Sequence, residues 1–482
     1  PPSRRGIPHP PFDLSGNIER GAAGSTMILT VSGSAAWDAT GKSLKKDDPV
    51  HGEMLGAPTV LAPEQGLKFS SVFSGSGACH TICVTEEGKA YSFGRNDKGQ
   101  LGQGDLMTRG VPTPIKPLEN VRVTKATCGK NHTLILTSGG EVWGCGGNQF
   151  GQLGLGKTAE HVEKLTQLPS LGSKVVDIAA GQEFSMMLTD DGKVYSCGHP
   201  EFGVLGHGTD GKYIISTGRE GFREISSPTH IVQWHLSDPK GKDSLGGTVP
   251  SPTIKRIVCG QKHTLAVDEE GCLWAWGYNG YGRLGLNDPH DRKRPCKVEF
   301  FTGPNAIKDF DLIAAGGSTS GAVTSLGQLY TWGQIKKVSE SQIKPFPCQD
   351  LSGWRIRSMS FGHESFVISA DSNKEARRPW VPGCDELPQV ITWGTAKYGE
   401  LGYGGSKKSS ANPDLVPSLT GKRVKSVAAG QGHTVFLLEV EDDAKDLPTY
   451  TPPADVPPAA AAKAGGKRPA GGAKGGAAKK KR

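Results

Sequence analysis

A three-part module recurs along most of the chain and limits the possible folds more than any other feature. Its clearest copy begins with Gly129-Lys130-Asn131-His132-Thr133 and an apolar run, continues with the aromatic segment Val142–Gly146, and ends with Gly151-Gln152-Leu153-Gly154. The third part of the first three copies is spaced by 52 residues, starting at Gly99, Gly151 and Gly203. Such a period indicates an array of like supersecondary units rather than several separate domains.

Each module predicts short strands rather than helices, because its runs of apolar and β-branched residues are bounded by turn-forming glycines. About four strands per unit cannot bury both sheet faces alone, but units stacked radially can. Six units run from about Phe69 to Gly404. A seventh is split, with its first half at Val424–Leu438 and its second half at Met27–Gly33. The sequence therefore predicts an all-β, seven-bladed β-propeller, closed by N- and C-terminal strands that share one blade.

The propeller is expected to span residues 27–440, with insertions at 209–252 and 371–389. A hairpin extension is the simplest interpretation of the second insertion. Residues 1–26 are expected to be disordered because they are rich in Pro, Gly and Arg. Residues 441–482 are expected to form a disordered Pro/Ala linker followed by a Lys/Ala/Gly basic tail.

The positive charge of the chain is concentrated in that tail. Residues 463–482 contain six Lys, two Arg and no acid, which equals the formal charge of +8 of the whole chain, so the remainder is neutral. Two basic clusters have the spacing of a bipartite nuclear-import signal: Lys467, Arg468, Lys479, Lys480, Lys481 and Arg482. An import receptor, the phosphates of chromatin or the acidic surface of microtubules could bind such an arm. A solubilising end is the simplest alternative.

Two patterns suggest chemistry that the repeats do not support. Gly151–Thr158 matches a phosphate-binding loop, but it is one copy of the repeat turn and lacks the strand-to-helix context that such a loop requires.

Four histidines recur once per unit, so they should lie in different blades and form hydrogen bonds between strands or blades, at His80, His132, His263 and His433. The sequence predicts no metal site, no catalytic residue and no cofactor. Four tryptophans on the aromatic strands should be core residues: Trp143, Trp276, Trp332 and Trp393.

The repeats resemble those of the regulator-of-chromosome-condensation family over residues 27–440. The resemblance rests on Cys128-Gly129-Lys130-Asn131-His132-Thr133-Leu134 and on the Gly-x-Leu-Gly turns that follow an aromatic residue. Within the family, the chain is most similar to the telophase-disc, chromosomal-passenger type. This closer similarity is carried by Ser34–Asp38, Glu183–Met186, Pro200–Gly203, Asp210–Ile214, Gly280–Gly285 and Gly353–Ser358.

The resemblance implies a non-catalytic interaction protein that regulates a small GTPase of the Rac, Ral or Arf type. It further implies action at chromosomes, spindle or midbody in cell division, and a nuclear location with spindle, centromere and midbody association. In the related protein, the polar loop after the third unit is associated with a Rac-type GTPase. The corresponding candidates here are Asp238, Lys240, Gly241, Lys242, Asp243 and Ser244. No apolar run is long enough to cross a membrane.

The alternative is a guanine nucleotide exchange factor for nuclear Ran bound to chromatin. Exchange needs no covalent chemistry, because the propeller would only have to stabilise the nucleotide-poor state of the GTPase. Ran-directed members of the family use acidic and His residues on loops for this purpose. No matching set is evident in this chain, so no residue is assigned to exchange.

Overall fold

The computed structural model describes residues 26–42, 53–61, 67–236, 247–335, 341–371, 389–404, 409–440 and 446–451. Almost all regular structure in these ranges is β-strand, and each blade is an antiparallel sheet of four strands. The chain begins with β1 (Thr26–Ser34) and β2 (Met54–Leu61), which become part of a blade only through the C-terminal strands.

Blades 1 to 3 follow in chain order. Blade 1 contains β3 (Phe69–Phe73), β4 (His80–Thr85), β5 (Ala90–Gly94) and β6 (Arg109–Pro114). Blade 2 contains β7 (Val123–Cys128), β8 (His132–Thr137), β9 (Val142–Asn148) and β10 (Ala159–Gln167). Blade 3 contains β11 (Val175–Ala180), β12 (Phe184–Thr189), β13 (Val194–Gly198) and β16 (Ile225–His230). A separate hairpin, β14 (Lys212–Ser216) and β15 (Arg219–Phe222), lies between β13 and β16.

Two additional strands, β17 (Gln233–His235) and β18 (Thr248–Pro250), extend the outer edge of blade 4. Blade 4 itself contains β19 (Ile254–Cys259), β20 (His263–Asp268), β21 (Leu273–Gly277) and β22 (Arg292–Lys297). Blade 5 contains β23 (Ile313–Ala315), β24 (Thr319–Val323), β25 (Leu329–Gly333) and β26 (Gln342–Pro347).

Blade 6 contains β27 (Arg355–Phe361), β28 (Ser365–Asp371), β29 (Gln389–Gly394) and β30 (Ser410–Leu415). Blade 7 combines β31 (Arg423–Ala429) and β32 (His433–Val440) with β1 and β2, and β33 (Thr449–Tyr450) lies beside β2. Short 3₁₀ helices occupy Lys116–Leu118, Glu201–Gly203, Gly280–Gly282, Gly303–Asn305, Gln349–Leu351 and Pro417–Leu419.

The predicted closure of the ring is confirmed. Strand β1 pairs with β32 in unbroken antiparallel register, from Thr26 opposite Val440 to Gly33 opposite His433. The two strands meet because both carry apolar side chains, such as Leu29 and Leu437, that are fully buried. Burial of one such side chain contributes about 1.5–3 kcal/mol. The seven-bladed propeller is therefore a closed ring without the open edge that either terminus alone would leave.

The boundaries predicted for the ring need two corrections. Residues 209–252 are not wholly an insertion, because β16 within them is the fourth strand of blade 3. Residues 441–482 are not disordered throughout, because β33 pairs in parallel with β2. Leu447 and Tyr450 are each 5% exposed, so apolar burial holds this segment against blade 7.

Neighbouring strands of a blade are antiparallel, so its connections alternate between two faces of the ring. We call the face with the first-to-second and third-to-fourth connections the upper face, and the opposite face the lower face. The Gly-x-x-His and Gly-x-Leu-Gly turns, as well as hairpin β14–β15, therefore lie on the upper face. The described residues that flank 237–246 and 372–388, and both described ends of the chain, lie at the lower face.

The repeat histidines connect consecutive blades, as expected. His132 Nε2 lies 3.0 Å from Ser185 Oγ in the next blade, and this hydroxyl donates to the Gln152 carbonyl oxygen at 2.7 Å. Because that carbonyl can only accept, Nε2 carries the proton and donates to the hydroxyl. His80 with Thr133 and His263 with Ser320 repeat this arrangement, because each hydroxyl also donates to a carbonyl oxygen. His433 Nε2 lies 3.1 Å from Thr81 Oγ1. The blade 3 position is Phe184, which cannot form such a bond.

The backbone requires the glycine that lies at or near the end of each third strand. Gly146 has φ of 101°, and a Cβ there would collide with the Asn131 carbonyl oxygen and the His132 Cα. Only glycine adopts this conformation without strain and permits so close an approach. The third strand therefore packs directly against the His-bearing start of the second strand.

The core lies within and between the blades. Three of the four predicted core tryptophans, Trp276, Trp332 and Trp393, are fully or almost fully buried, as expected. Trp143 is only half-buried at the outer part of blade 2, so the core prediction holds less well there.

Candidate functional site

Hairpin β14–β15 is the most exposed apolar element in the described part of the chain. Tyr213, Ile214 and Ile215 are consecutive and are 42%, 79% and 50% exposed. Lys212 and Glu220 form an ion pair of 2.7 Å across the two strands, but both side chains are about half-exposed, so it adds little stability. An apolar run of this kind on a rigid scaffold is typical of a protein-binding element.

Aromatic contacts fix the base of the hairpin on blades 2 and 3. The His199 ring lies 4.8 Å from Phe222 in β15 and 4.5 Å from Phe150 in blade 2. Arg223 N–H donates to the Gly211 carbonyl oxygen at 2.9 Å, which closes the base. Burial lowers the pKa of His199, so the ring is neutral at pH 7 and serves as an aromatic spacer.

A cavity of about 510 Å³ separates the hairpin from blade 3. Its wall includes Leu205, His207, Tyr213 and Arg223, and the Arg223 guanidinium lies 5.8 Å from the centre of the Tyr213 ring. His207 Nε2 lies 2.9 Å from Ser196 Oγ, and burial lowers the pKa of this histidine. The cavity combines apolar walls with charges of both signs, since Lys212, Arg223 and Glu224 line it, and it could receive a partner side chain that is mainly apolar.

An aromatic and cationic cluster continues this surface onto blade 4. Phe202 lies 4.5 Å from Tyr278, and the Lys262 ammonium lies 4.5 Å above the Phe202 ring. The Arg283 guanidinium lies 4.6 Å above Tyr278, and burial lowers the pKa of Arg283 to about 10. It therefore stays charged at pH 7. Tyr281 beside this cluster is 49% exposed.

Two of these aromatic residues have strained backbones. Phe202 and Tyr281 have φ of 60° and 65°, and both immediately precede the first glycine of a Gly-x-Leu-Gly turn. The left-handed conformation costs a bulky side chain about 1–2 kcal/mol. Such strain at two adjacent blades, beside an exposed hairpin, is typical of a surface shaped for binding rather than for stability.

The upper mouth of the central channel is bridged by one side chain. Gln261 Nε2 donates to the Ser76 carbonyl oxygen at 3.0 Å and lies 2.7 Å from His363 Nδ1. Blade 4 is thereby joined across the axis to blades 1 and 6. The turns that surround this bridge are also joined by backbone hydrogen bonds from blade to blade: Lys130 to Gln182, Gln182 to Gln261, Gln261 to Gly316, Gly317 to Gly362, His363 to Gly430 and Gln431 to Ala78.

An ion group centred on the buried Asp177 carboxylate links blades 2 to 5 nearer the lower face. The carboxylate of Asp177 accepts from Lys125, lies 3.5 Å from the Arg256 guanidinium, and accepts the Ile257 N–H at 3.2 Å. Arg256 also contacts Asp311 at 3.0 Å. Burial lowers the pKa of Lys125, and the Asp177 charge opposes that shift. Every charge in the group has a partner, so the group is structural rather than a free acid or base.

The predicted site residues and the observed surface do not coincide. The loop candidates, Asp238 to Ser244, and the tail candidates, Lys467 to Arg482, lie outside the described residues. Their flanking residues lie at the lower face, whereas the hairpin and the aromatic cluster occupy the upper face. Asp210–Ile214 and Pro200–Gly203 carry part of the family resemblance but were not predicted to bind a partner. A run of three apolar residues within a polar loop, at Tyr213 to Ile215, was the available signal for the hairpin.

The described residues offer no metal or membrane site. Within the ranges that the structure describes, no three His, Cys, Asp or Glu side chains converge to hold a metal ion. The same ranges contain no helix that is long and apolar enough to span a bilayer. Gly151–Thr158 is a turn between antiparallel β9 and β10, without a helix after it. It therefore lacks the helix N-terminus that a phosphate-binding loop requires.

The RCC1-like domain family matches residues 29–436 of the chain. The Protein RCC2 homolog of Xenopus laevis is 36% identical over 437 residues, which cover 88% of this chain and 81% of that protein. Protein RCC2 of Homo sapiens is 36% identical over 435 residues, which cover 88% of this chain and 79% of that protein.

Two solved structures of a yeast protein have the same fold. Prp20p of Saccharomyces cerevisiae, whose structure is described with its binding properties to Gsp1p and histones, has a TM-score of 0.62 and 19% identity over 87% of this chain and 93% of its own. Yeast RCC1 (Prp20) bound to Kap60 gives a TM-score of 0.64 and 19% identity, over 88% of this chain and 91% of the other. From the family match and the identity to the RCC2 proteins, the chain belongs to the RCC1-like domain family.

Proposed function

We propose that this protein is a non-catalytic regulator that binds a small GTPase of the Rac, Ral or Arf type on the upper face of its propeller. The observation that carries the proposal is the exposed apolar run of hairpin β14–β15, beside the strained aromatic cluster of blades 3 and 4. Membership of the RCC1-like domain family supports it. So does the structure of Prp20p, which is described with binding to Gsp1p.

The geometry favours binding over covalent chemistry. Each blade is joined to the next, so the upper face is a rigid platform, and hairpin β14–β15 is exposed on it. The exposed apolar run of the hairpin can enter an apolar groove of the partner. Regulation then follows from preferential binding of one conformation of the GTPase, because a ligand shifts an equilibrium only by its differential affinity.

The loop after blade 3 is the competing contact. The polar residues Asp238, Lys240, Gly241, Lys242, Asp243 and Ser244 remain a proposed GTPase contact on the strength of the family resemblance. Leu236 N–H donates to the Gly247 carbonyl oxygen at 3.3 Å, and Trp234 is fully buried, so the base of this loop is firmly attached to blade 4. Contact through this loop would place the GTPase at the lower face.

The tail is proposed to provide nuclear import and to assist binding to chromatin or microtubules. Its charge supports this assignment, since the rest of the chain is neutral. Action at chromosomes, spindle or midbody in dividing cells, with nuclear, spindle, centromere and midbody location, is part of the same proposal. It rests on the family resemblance.

The proposal is tested with purified Rac-, Ral-, Arf- and Ran-type GTPases, each loaded with a fluorescent nucleotide. Binding and nucleotide release are recorded in parallel, with the buffer-only release rate as the control. We expect saturable binding of a Rac-, Ral- or Arf-type protein without faster release. Binding confined to Ran, with faster release, would instead establish the exchange-factor alternative. Absence of binding to all four classes would refute GTPase regulation altogether.

A further inference from the structure

Near the lower face, each fourth strand has one residue whose backbone nitrogen points away from its own blade. In blade 2, the Leu168 N–H donates inward to the Val142 carbonyl oxygen at 2.8 Å, so the N–H of the preceding residue, Gln167, points outward. The equivalent position in each blade pairs with the residue that lies three before the positive-φ glycine near the end of the third strand, as Trp143 lies three before Gly146. These positions are Val60, Pro114, Gln167, His230, Lys297, Pro347 and Leu415.

Five of the seven blades remove or cover this outward donor. Pro114 and Pro347 have no N–H. The Leu415 N–H donates to the carboxylate of Asp414 at 2.9 Å, so the strand protects itself. In blade 7 the Val60 N–H donates to the Pro448 carbonyl oxygen at 2.7 Å, and in blade 4 strand β17 lies beside β22. This agrees with the need to protect sheet edges against unwanted pairing.

Blades 2 and 3 differ from the other five. In blade 3 the His230 ring covers Tyr195 at 5.3 Å, and the chain continues directly from there towards β17. In blade 2, β10 is the outermost strand of its sheet in the part of the chain that the structure describes. No described residue accepts the Gln167 N–H, and this residue is exposed. The partner of Gln167 in the ladder is the half-buried Trp143.

Blade 4 shows how an added strand can bind to such an edge. Its Trp274 is equivalent to Trp143, since it pairs with Lys297 as Trp143 pairs with Gln167. Strand β17 runs parallel to β22 and places Trp234 edge-on against Trp274, with ring centres 5.3 Å apart. Trp274 is thereby 3% exposed. In blade 7, the added strand β33 contributes its own buried aromatic side chain, Tyr450. An added strand therefore supplies both a hydrogen-bond acceptor and a ring.

We propose that the outer edge of blade 2, at Trp143 and Gln167, binds an extended segment of a partner protein that carries an aromatic residue. The segment adds as a fifth strand parallel to β10, its carbonyl oxygen accepts the Gln167 N–H, and its aromatic ring covers Trp143. The site is separate from the upper-face surface and does not depend on the GTPase proposal.

The probe is a fluorescent peptide of sequence Ile-Val-Gln-Trp-His-Leu, which is that of residues 231–236 on blade 4. Its binding to the full chain is measured by fluorescence anisotropy. Q167P removes the backbone donor, whereas Q167A changes the side chain but retains the N–H. Blades 1 and 5 already have proline at the same position, so Q167P should fold, and its melting temperature verifies this.

We expect Q167A to bind the peptide like the unaltered protein, and both Q167P and W143A to bind it about tenfold or more weakly. Equal affinity of Q167P and Q167A would overturn the proposal. It would also be overturned if H230P, rather than Q167P, abolished binding, or if the unaltered chain did not bind the peptide at millimolar concentration.

Discussion

Four buried histidines illustrate how single residues determine the conditions under which the ring is stable. Burial lowers the pKa of His80 to about 3, and those of His132 and His433 to about 4. The pKa of His263 is also lowered by burial. Each ring is thus neutral in the folded state at pH values where an unfolded histidine, with pKa near 6.5, takes up a proton.

Stability should therefore fall as the pH falls below about 6.5 towards 4. In this window the unfolded chain binds more protons than the folded chain, so the free energy of unfolding decreases by up to about 1.4 kcal/mol per pH unit for each histidine. Urea unfolding at pH 7, 6 and 5 measures this slope. The control is H132F, which copies Phe184 of blade 3 and should reduce the slope by one proton. An unchanged free energy of unfolding from pH 6.5 to 5 would contradict the assignment of neutral histidines.

Backbone strain at Tyr281 gives a second prediction for a single residue. Tyr281→Gly should raise the free energy of unfolding by up to about 1 kcal/mol, because φ of 65° is strained for Tyr and this half-exposed ring loses little burial. The same change should weaken GTPase binding. The matched control is Asn287→Gly, since Asn tolerates its φ of 62° and should gain little. Loss of stability in Y281G, measured by urea unfolding, would exclude strain at this position.

At the scale of elements, the short strand β33 distinguishes a docked segment from a linker. Tyr450→Ala should lower the free energy of unfolding by about 3 kcal/mol, because it leaves a cavity beside blade 7. Thr449→Ala alters the exposed neighbour in the same strand and should have an effect below about 0.5 kcal/mol. Urea unfolding of the two variants provides the comparison. Equal stability of Y450A and T449A would mean that residues 446–451 do not contribute to the ring.

The elements that repeat were predictable from the sequence, and those that occur once were not. The Gly-x-x-His turns, the aromatic strands and their order follow from local patterns that each blade repeats, and the split blade follows from two unmatched halves. Strand β33 has no repeat counterpart, and its Pro448 and polar neighbours are typical of a linker. This strand is held in place by contacts of Leu447 and Tyr450 with a part of the chain that includes residues about 400 positions earlier. No local sequence pattern records such contacts.

The same limit applied to the candidate site. Hairpin β14–β15 could be recognised as an unusual segment, but its position on blades 2 and 3 depends on the closed ring. The left-handed backbone of Phe202 and Tyr281 was also unpredictable, because Phe150 and Tyr398 occupy the same repeat position without a positive φ. Conversely, the loop at 238–244 was selected by resemblance, and its contribution stays a prediction.

At the scale of the whole molecule, the net positive charge lies in the basic tail, whereas the rest of the chain, which includes the ring, is neutral. Replacement of Lys479, Lys480 and Lys481 by Ala should leave a fluorescently tagged protein in the cytoplasm of interphase cells, because one of the two basic clusters is lost. The control replaces Lys463 and Lys474, which lie outside both clusters, and should remain nuclear. Nuclear accumulation of the triple variant would contradict the import assignment.

The central claim is that the upper-face hairpin, not the lower-face loop, binds the GTPase. The most direct measurement is the affinity of the GTPase selected from the panel for three variants, determined by calorimetric titration. Ile214→Asp places a charge in the apolar run of the hairpin, and K240A with K242A alters the loop. Leu326→Asp is a control at a residue that is likewise exposed, by 74%.

We predict that I214D weakens binding at least tenfold, because the charge must be desolvated in the interface. The loop double variant and L326D should bind within about twofold of the unaltered protein, since surface positions outside an interface contribute little. If I214D retained full affinity while the loop variant lost it, the GTPase would bind at the lower face and the central claim would be wrong.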